Sequence, residues 1–159
     1  AQRIVQNLGQ YNGCNVALTA VYGSVGVIGR HCIYELQDAN PALLDDEAYV
    51  RNALEQAVEA SGATLLQLVS HKFEPQGVTA IALLSESHVS FHSYPEFGYA
   101  AVDSFTCGEH TDPEAACHSL KNSFDSKSGS IQLLTRRNSS VSQHQPLDDV
   151  LKSNYRCCS

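Results

Sequence analysis

Residues 84–108 read LSESHVSFHSYPEFGYAAVDSFTCG. Apolar and polar residues alternate on both sides of a Pro95-Glu96-Phe97-Gly98 turn, so the stretch predicts two strands, 88–93 and 99–106, paired as a hairpin. It also gathers the side chains that do chemistry: Ser87, His88, His92 and Cys107. Nucleophile, base and acid types thus fall on segments that lie side by side. Alternation puts His88, Ser90 and His92 on one face and Ser87 with Val89 on the other. A regular strand therefore does not join Ser87 to His92, and Ser87 is expected at an irregular strand start under backbone strain.

As residues alone, these positions leave three readings open. They are ordinary polar positions on a half-exposed strand; or His88, His92, Cys107 and His110 hold a metal; or Ser87, beside Glu86 and near a histidine, acts as a nucleophile. Zinc accepts that ligand set, but the paired-cysteine spacings are missing. The G-x-S-x-G elbow of hydrolases is also missing.

Outward from this hairpin the pattern alternates strands with helices. Residues 30–36 alternate as a strand, and Asn40-Pro41 marks a turn. Asp45 or Asp46 caps a helix with Val50, Leu54, Ala57 and Val58 on its apolar stripe and Glu47 in its first turn. Gly62 stops it. Residues 64–73 form a second strand, although Leu65 and Val69 fit the alternation only in part. Glu74-Pro75-Gln76-Gly77 is a turn. Residues 78–84 are continuously apolar, which suggests burial on both faces or a central place in the sheet. Asp112-Pro113-Glu114 opens a second helix with Ala116, Cys117, Leu120 and Phe124 inward. Residues 126–130 are a loop, 131–135 a last strand, and 138–159 a Ser/Gln-rich tail with a short helix near 147–152. The fold class is α+β: a two-layer sandwich with an antiparallel sheet and two helices on one face.

Composition narrows the partners. The chain has 159 residues and a net charge of −7, enough for one domain with a core. Its longest basic cluster is Arg136-Arg137, so nucleic acid and anionic membranes are not expected partners. Residues 14–28 are too short and too polar to span a membrane. The six cysteines show no disulfide framework, and no secretory n-region opens the sequence. They read as reduced thiols in a cytoplasmic protein, with Cys157-Cys158 in the tail.

The central residues carry a resemblance. Glu86-Ser87-His88, Ser90-Phe91-His92, the run from Pro95 through Asp103, and Phe105-Thr106-Cys107-Gly108 resemble the signature of prokaryotic-type S-adenosylmethionine decarboxylases. The likeness extends through Ser70-His71-Lys72-Phe73 and Pro75-Gln76-Gly77-Val78-Thr79 back to Gly29-Arg30-His31. It implies an N-terminal extension 1–28 and a self-cleaving decarboxylase domain 29–137, followed by the tail 138–159, which its composition marks as mobile. It implies cleavage between Glu86 and Ser87: the hydroxyl attacks the Glu86 carbonyl, an ester forms, and β-elimination leaves a pyruvoyl group in place of Ser87. That carbonyl forms a Schiff base with the substrate amine and takes the electrons left on Cα when carbon dioxide departs. No metal or pyridoxal phosphate is required by this scheme.

The resemblance also implies roles for the neighbours. His92 is the proton acceptor in processing and Cys107 the proton donor in catalysis. Phe73 stacks on adenine, Glu96 holds the ribose hydroxyls, and Tyr94 walls the pocket. Cleaved protomers pair as a homodimer. The product is the aminopropyl donor for spermidine synthesis. Tyr94 stands where the family has tryptophan and Ser93 where threonine is common, so L-arginine or L-ornithine on the same machinery is the alternative substrate. A further alternative is an unprocessed regulatory partner without activity.

Overall fold

The structure is a computed structural model that describes residues 26–138, together with two short stretches nearer the start. Those stretches, β1 (Gln10–Tyr11) and β2 (Cys14–Asn15), pair antiparallel with each other. The rest of the expected extension 1–28 up to residue 25, and the expected tail with its helix near 147–152, lie outside the described residues. Residues 28–136 form one compact unit.

Its elements in order are β3 (Val27–Gln37), α1 (Pro41–Leu44), α2 (Glu47–Ser61), β4 (Leu65–Lys72), β5 (Val78–Leu84), β6 (Ser87–Tyr94), β7 (Tyr99–Thr106), α3 (Pro113–Ser123) and β8 (Ser128–Arg137). The six long strands make one sheet in the order β4-β5-β6-β7-β3-β8. The ladders from β4 to β3 are antiparallel. At the β8 edge, Gly129 abuts the Glu35 carbonyl and the Asn138 N–H bonds Gly26 O, which is also the antiparallel sense. The architecture is the α+β sandwich that the pattern predicts.

Period-two burial decides which face carries the helices. Tyr34 and Leu36, Ala80 and Ala82, Val89 and Phe91, and Ala100 and Val102 share one core with Val50, Leu54, Ala57, Leu120 and Phe124. Phe91 stacks on Phe124 at 4.9 Å, tying the middle of the sheet to the end of α3. The opposite face has no covering layer among the described residues, and Val69, Ile81 and Leu83 are 39–49% exposed.

That corrects the reading of residues 78–84. β5 is buried on one side only, and it is next to the edge strand, not central. A second correction concerns Asn40-Pro41, which begin a one-turn helix: Asn40 Oδ1 accepts from Ala42 N at 3.0 Å, and Pro41 supplies the preset φ. A third concerns residues 128–130, expected as loop, which already belong to β8. Of the two capping candidates, Asp46 caps α2 by accepting from Tyr49 N at 3.0 Å. Asp45 instead accepts from Gly77 N at 2.8 Å and pairs with Lys72. The uneven alternation of β4 has a cause, a register shift between Leu65 and Gln67.

Candidate active site

Leu84 and Ser87 face each other across β5 and β6, so Ser85 and Glu86 make a two-residue connection. Such hairpins ordinarily put positive φ on their central residues, which favours glycine or asparagine there. Neither Ser85 nor Glu86 has positive φ. It falls on Ser87, at +138°. The strand start is therefore irregular and strained at the serine, as expected.

The preceding residue is held from two sides. The buried Glu86 carboxylate accepts from Thr64 N at 2.8 Å, from Thr64 Oγ1 at 3.3 Å and from His110 Nε2 at 3.3 Å. Burial alone would push this carboxyl up; the bonds from Thr64 and His110 outweigh it and hold the group below its ordinary value. Its backbone carbonyl accepts from Cys107 N at 2.9 Å. Cys107 thus lies directly against the Glu86–Ser87 peptide.

The loop after β7 is built to hold this arrangement. Thr111 Oγ1 donates to Cys107 O at 3.1 Å, the Arg30 guanidinium donates to Thr111 O, and Asp112 N donates to Ser61 O at 2.9 Å. Gly108 has φ +87°, and a Cβ there would come within 2.9 Å of the His110 ring. The absence of a side chain lets His110 fold back over the loop toward Glu86.

The two histidines differ: positive φ at Ser87 overrides the expected alternation and brings its hydroxyl to His88, while His92 stays apart. Ser87 Oγ lies 3.2 Å from His88 Nδ1. His92 Nδ1 lies 2.9 Å from Thr79 Oγ1, roughly 16 Å further along β6 from Ser87. Phe73, Tyr94 and Glu96 gather at the far end of the sheet. Phe73 meets the His71 ring edge-on at 4.7 Å, Gln76 Nε2 donates to Glu96 Oε2 at 3.0 Å, and Tyr94 lies 5.6 Å from Tyr99. Tyr94 is seven strand steps from Ser87, roughly 23 Å. One chain thus brings Glu86, Ser87, His88 and Cys107 together and leaves His92 and the three expected substrate contacts apart. His88, His92, Cys107 and His110 do not converge; among the described residues no group of three or more His, Cys, Asp or Glu side chains is placed to hold a metal ion.

Two contributors, Thr64 and Thr106, went unread in the sequence, and His110 was read only as a metal candidate. Thr64 gives no local signal, because its contact with Glu86 depends on the β4–β5 register. Thr106, the ladder partner of Ser87, has a buried hydroxyl without a hydrogen-bond partner. His110 signals only through its spacing from Cys107.

An antiparallel sheet backed by helices, with a strained serine near a cysteine, is the frame that comparison with known proteins assigns to a decarboxylase family. The family model described as S-adenosylmethionine decarboxylase matches residues 30–137. The S-adenosylmethionine decarboxylase proenzyme of Parasynechococcus marenigrum is 53% identical over 110 residues, spanning 69% of this chain and 86% of the relative. The proenzyme of Methanococcus aeolicus is 51% identical over 94 residues, spanning 59% and 80%. The crystal structure of the adenosylmethionine decarboxylase from Aquifex aeolicus superposes with a TM-score of 0.68 at 28% identity, covering 75% of this chain and 98% of that one. The chain belongs to the S-adenosylmethionine decarboxylase family.

Proposed function

We propose that this chain is a proenzyme that cleaves itself between Glu86 and Ser87 and then decarboxylates S-adenosylmethionine to the aminopropyl donor for spermidine synthesis. The observation that carries the reading is the strained Ser87 behind a peptide carbonyl held by Cys107 N–H and a side chain held by Thr64 and His110. A pyruvoyl group at position 87 supplies the electron sink that no ordinary side chain offers. The surroundings fit it: the unpartnered Thr106 hydroxyl lies opposite Ser87 in the ladder and offers a donor to a new carbonyl there. Cys107, against the same peptide, is the proton donor to the product carbon.

His92, Phe73, Glu96 and Tyr94 serve Ser87 across a dimer. A two-fold pair of copies, joined through their uncovered sheet faces, presents the far end of one sheet to the serine of the other. His92 then accepts a proton in processing, Phe73 stacks on adenine, Glu96 binds the ribose hydroxyls and Tyr94 walls the pocket. The free thiols of Cys32, Cys107 and Cys117 support a reducing, cytoplasmic setting. No helix among the described residues is long and apolar enough to cross a membrane.

The substrate alternative loses one of its two supports. Ser93 is buried, donating to Leu44 O at 2.8 Å and accepting from Val78 N at 2.8 Å, so it faces the helices and not a pocket. Only Tyr94 remains as a departure that a substrate would meet.

Denatured intact mass and release of labelled carbon dioxide test the reading together. The expected masses are a fragment ending at Glu86 and a second beginning with a pyruvoyl group. Label is expected from S-adenosylmethionine and not from arginine or ornithine. An uncut, inactive chain sinks the enzyme reading in favour of a regulatory partner. Release from arginine or ornithine alone sinks the substrate.

A further inference from the structure

We propose that His88 is the base of the first self-cleavage step, the group that takes the Ser87 hydroxyl proton. The inference rests on cleavage at Glu86–Ser87 and adds a residue to it. His88 Nδ1 is 3.2 Å from Ser87 Oγ, whereas His92 is engaged with Thr79 further along the strand. The imidazole is also fixed in place. His88 and Phe105 are ladder partners, and their rings meet edge to face at 6.2 Å. Phe105 is itself packed by His31 at 5.6 Å and covered by the Arg136 guanidinium at 5.2 Å. His31 Nε2 in turn lies 3.2 Å from Asp103 Oδ1. This aromatic backing limits the rotation of the His88 ring and keeps Nδ1 toward the serine.

The step balances within the chain. Oγ bonds to the Glu86 carbonyl carbon as its proton passes to Nδ1, and the carbonyl electrons move onto the oxygen that Cys107 N–H already holds at 2.9 Å. Nδ1 then returns the proton to the Ser87 nitrogen as the carbon–nitrogen bond breaks. The products are an ester between Glu86 and Ser87 Oγ and a free amine on residue 87. No co-reactant is consumed. The tautomer required has its proton on Nε2, leaving Nδ1 as acceptor.

The test follows cleavage of freshly made full-length chain by intact mass, comparing wild type with His88→Asn and His88→Ala. Asparagine keeps an acceptor near the hydroxyl but takes no proton. Both variants are expected to cleave about a hundredfold more slowly, with His88→Ala accelerated by added imidazole and thermal midpoints near wild type. Wild-type cleavage beside an equally fast His88→Asn overturns the role of His88 alone. Slow His88→Ala cleavage that imidazole leaves unchanged, in a folded chain, overturns it also. A wild type that never cleaves overturns the self-cleavage reading and this step with it.

Discussion

Glu86 has two parts with different work. In the proposed cleavage its carbonyl is the electrophile, while its carboxylate anchors the chain just before Ser87. Thr64 and His110 hold the charged form, so the carboxyl ionises more readily in the folded chain than in the unfolded one. A depressed folded value stabilises the fold above the ordinary glutamate range, about pH 4–5, and that contribution is lost as pH falls through the lower folded value. In an uncleavable Ser87→Ala background, Glu86→Gln is therefore expected to lower unfolding stability near neutrality. The gap should narrow on acidification, as read by urea unfolding at several pH values. A gap that does not change with pH would show that the charge plays no part. The closeness of Ser87 and Cys107 was legible because both fall in one stretch, 84–108, whose strands pair. Thr64 was not, since nothing near it in the chain points to a carboxylate that only sheet pairing delivers. His88 was legible as a residue but not as a contact, because alternation sends neighbouring side chains to opposite faces until positive φ at Ser87 alters that rule.

α2 shows which local signals survive folding. Its stripe of Val50, Leu54, Ala57 and Val58 is buried, Asp46 caps its start, and Gly62 ends it at φ +72°. An alanine at 62 must hold a left-handed conformation, so Gly62→Ala is expected to cost about 1 kcal/mol. Asp46→Ala leaves the Tyr49 N–H without its cap and is expected to cost about 1 kcal/mol as well. Shifts of the urea midpoint at constant slope check both, and an unshifted Gly62→Ala would contradict the C-terminal geometry. These signals were readable because caps and stops act within one turn of helix. The apolar run of β5 misled for the complementary reason. Ile81 and Leu83 are as apolar as Ala80 and Ala82, and sequence alone does not say whether the second face is covered by a helix or by another molecule. Residues 128–130 misled because serine and glycine favour loops locally, while pairing with β3 draws them into β8.

The sheet face left without a covering layer among the described residues and the divided site share one explanation in the proposed dimer. Val69, Ile81 and Leu83 offer apolar surface on the same side as His92, and the expected nucleoside contacts lie roughly 23 Å from the serine of their own chain. The proposed two-fold pair would answer both, since it would bury the face and let each site draw on two chains. Two consequences can be separated. Leu83→Asp places a charge in the joint and is expected to reduce the mass by light scattering from two chains to one, with the helical signal retained and decarboxylation lost. Co-production of Phe73→Ala with Cys107→Ala is the sharper measurement. Each variant alone lacks one half of every site. If the halves come from different chains, random pairing in equal amounts makes half the dimers hybrid, and each hybrid has one site with both halves intact. Activity per cleaved chain is then expected to recover to about a quarter of wild type. If Phe73 and Cys107 of a single chain serve the same site, every site in the mixture carries one lesion and no recovery occurs. That result would leave the dimer as packing alone and require a route by which one chain spans the length of its own sheet.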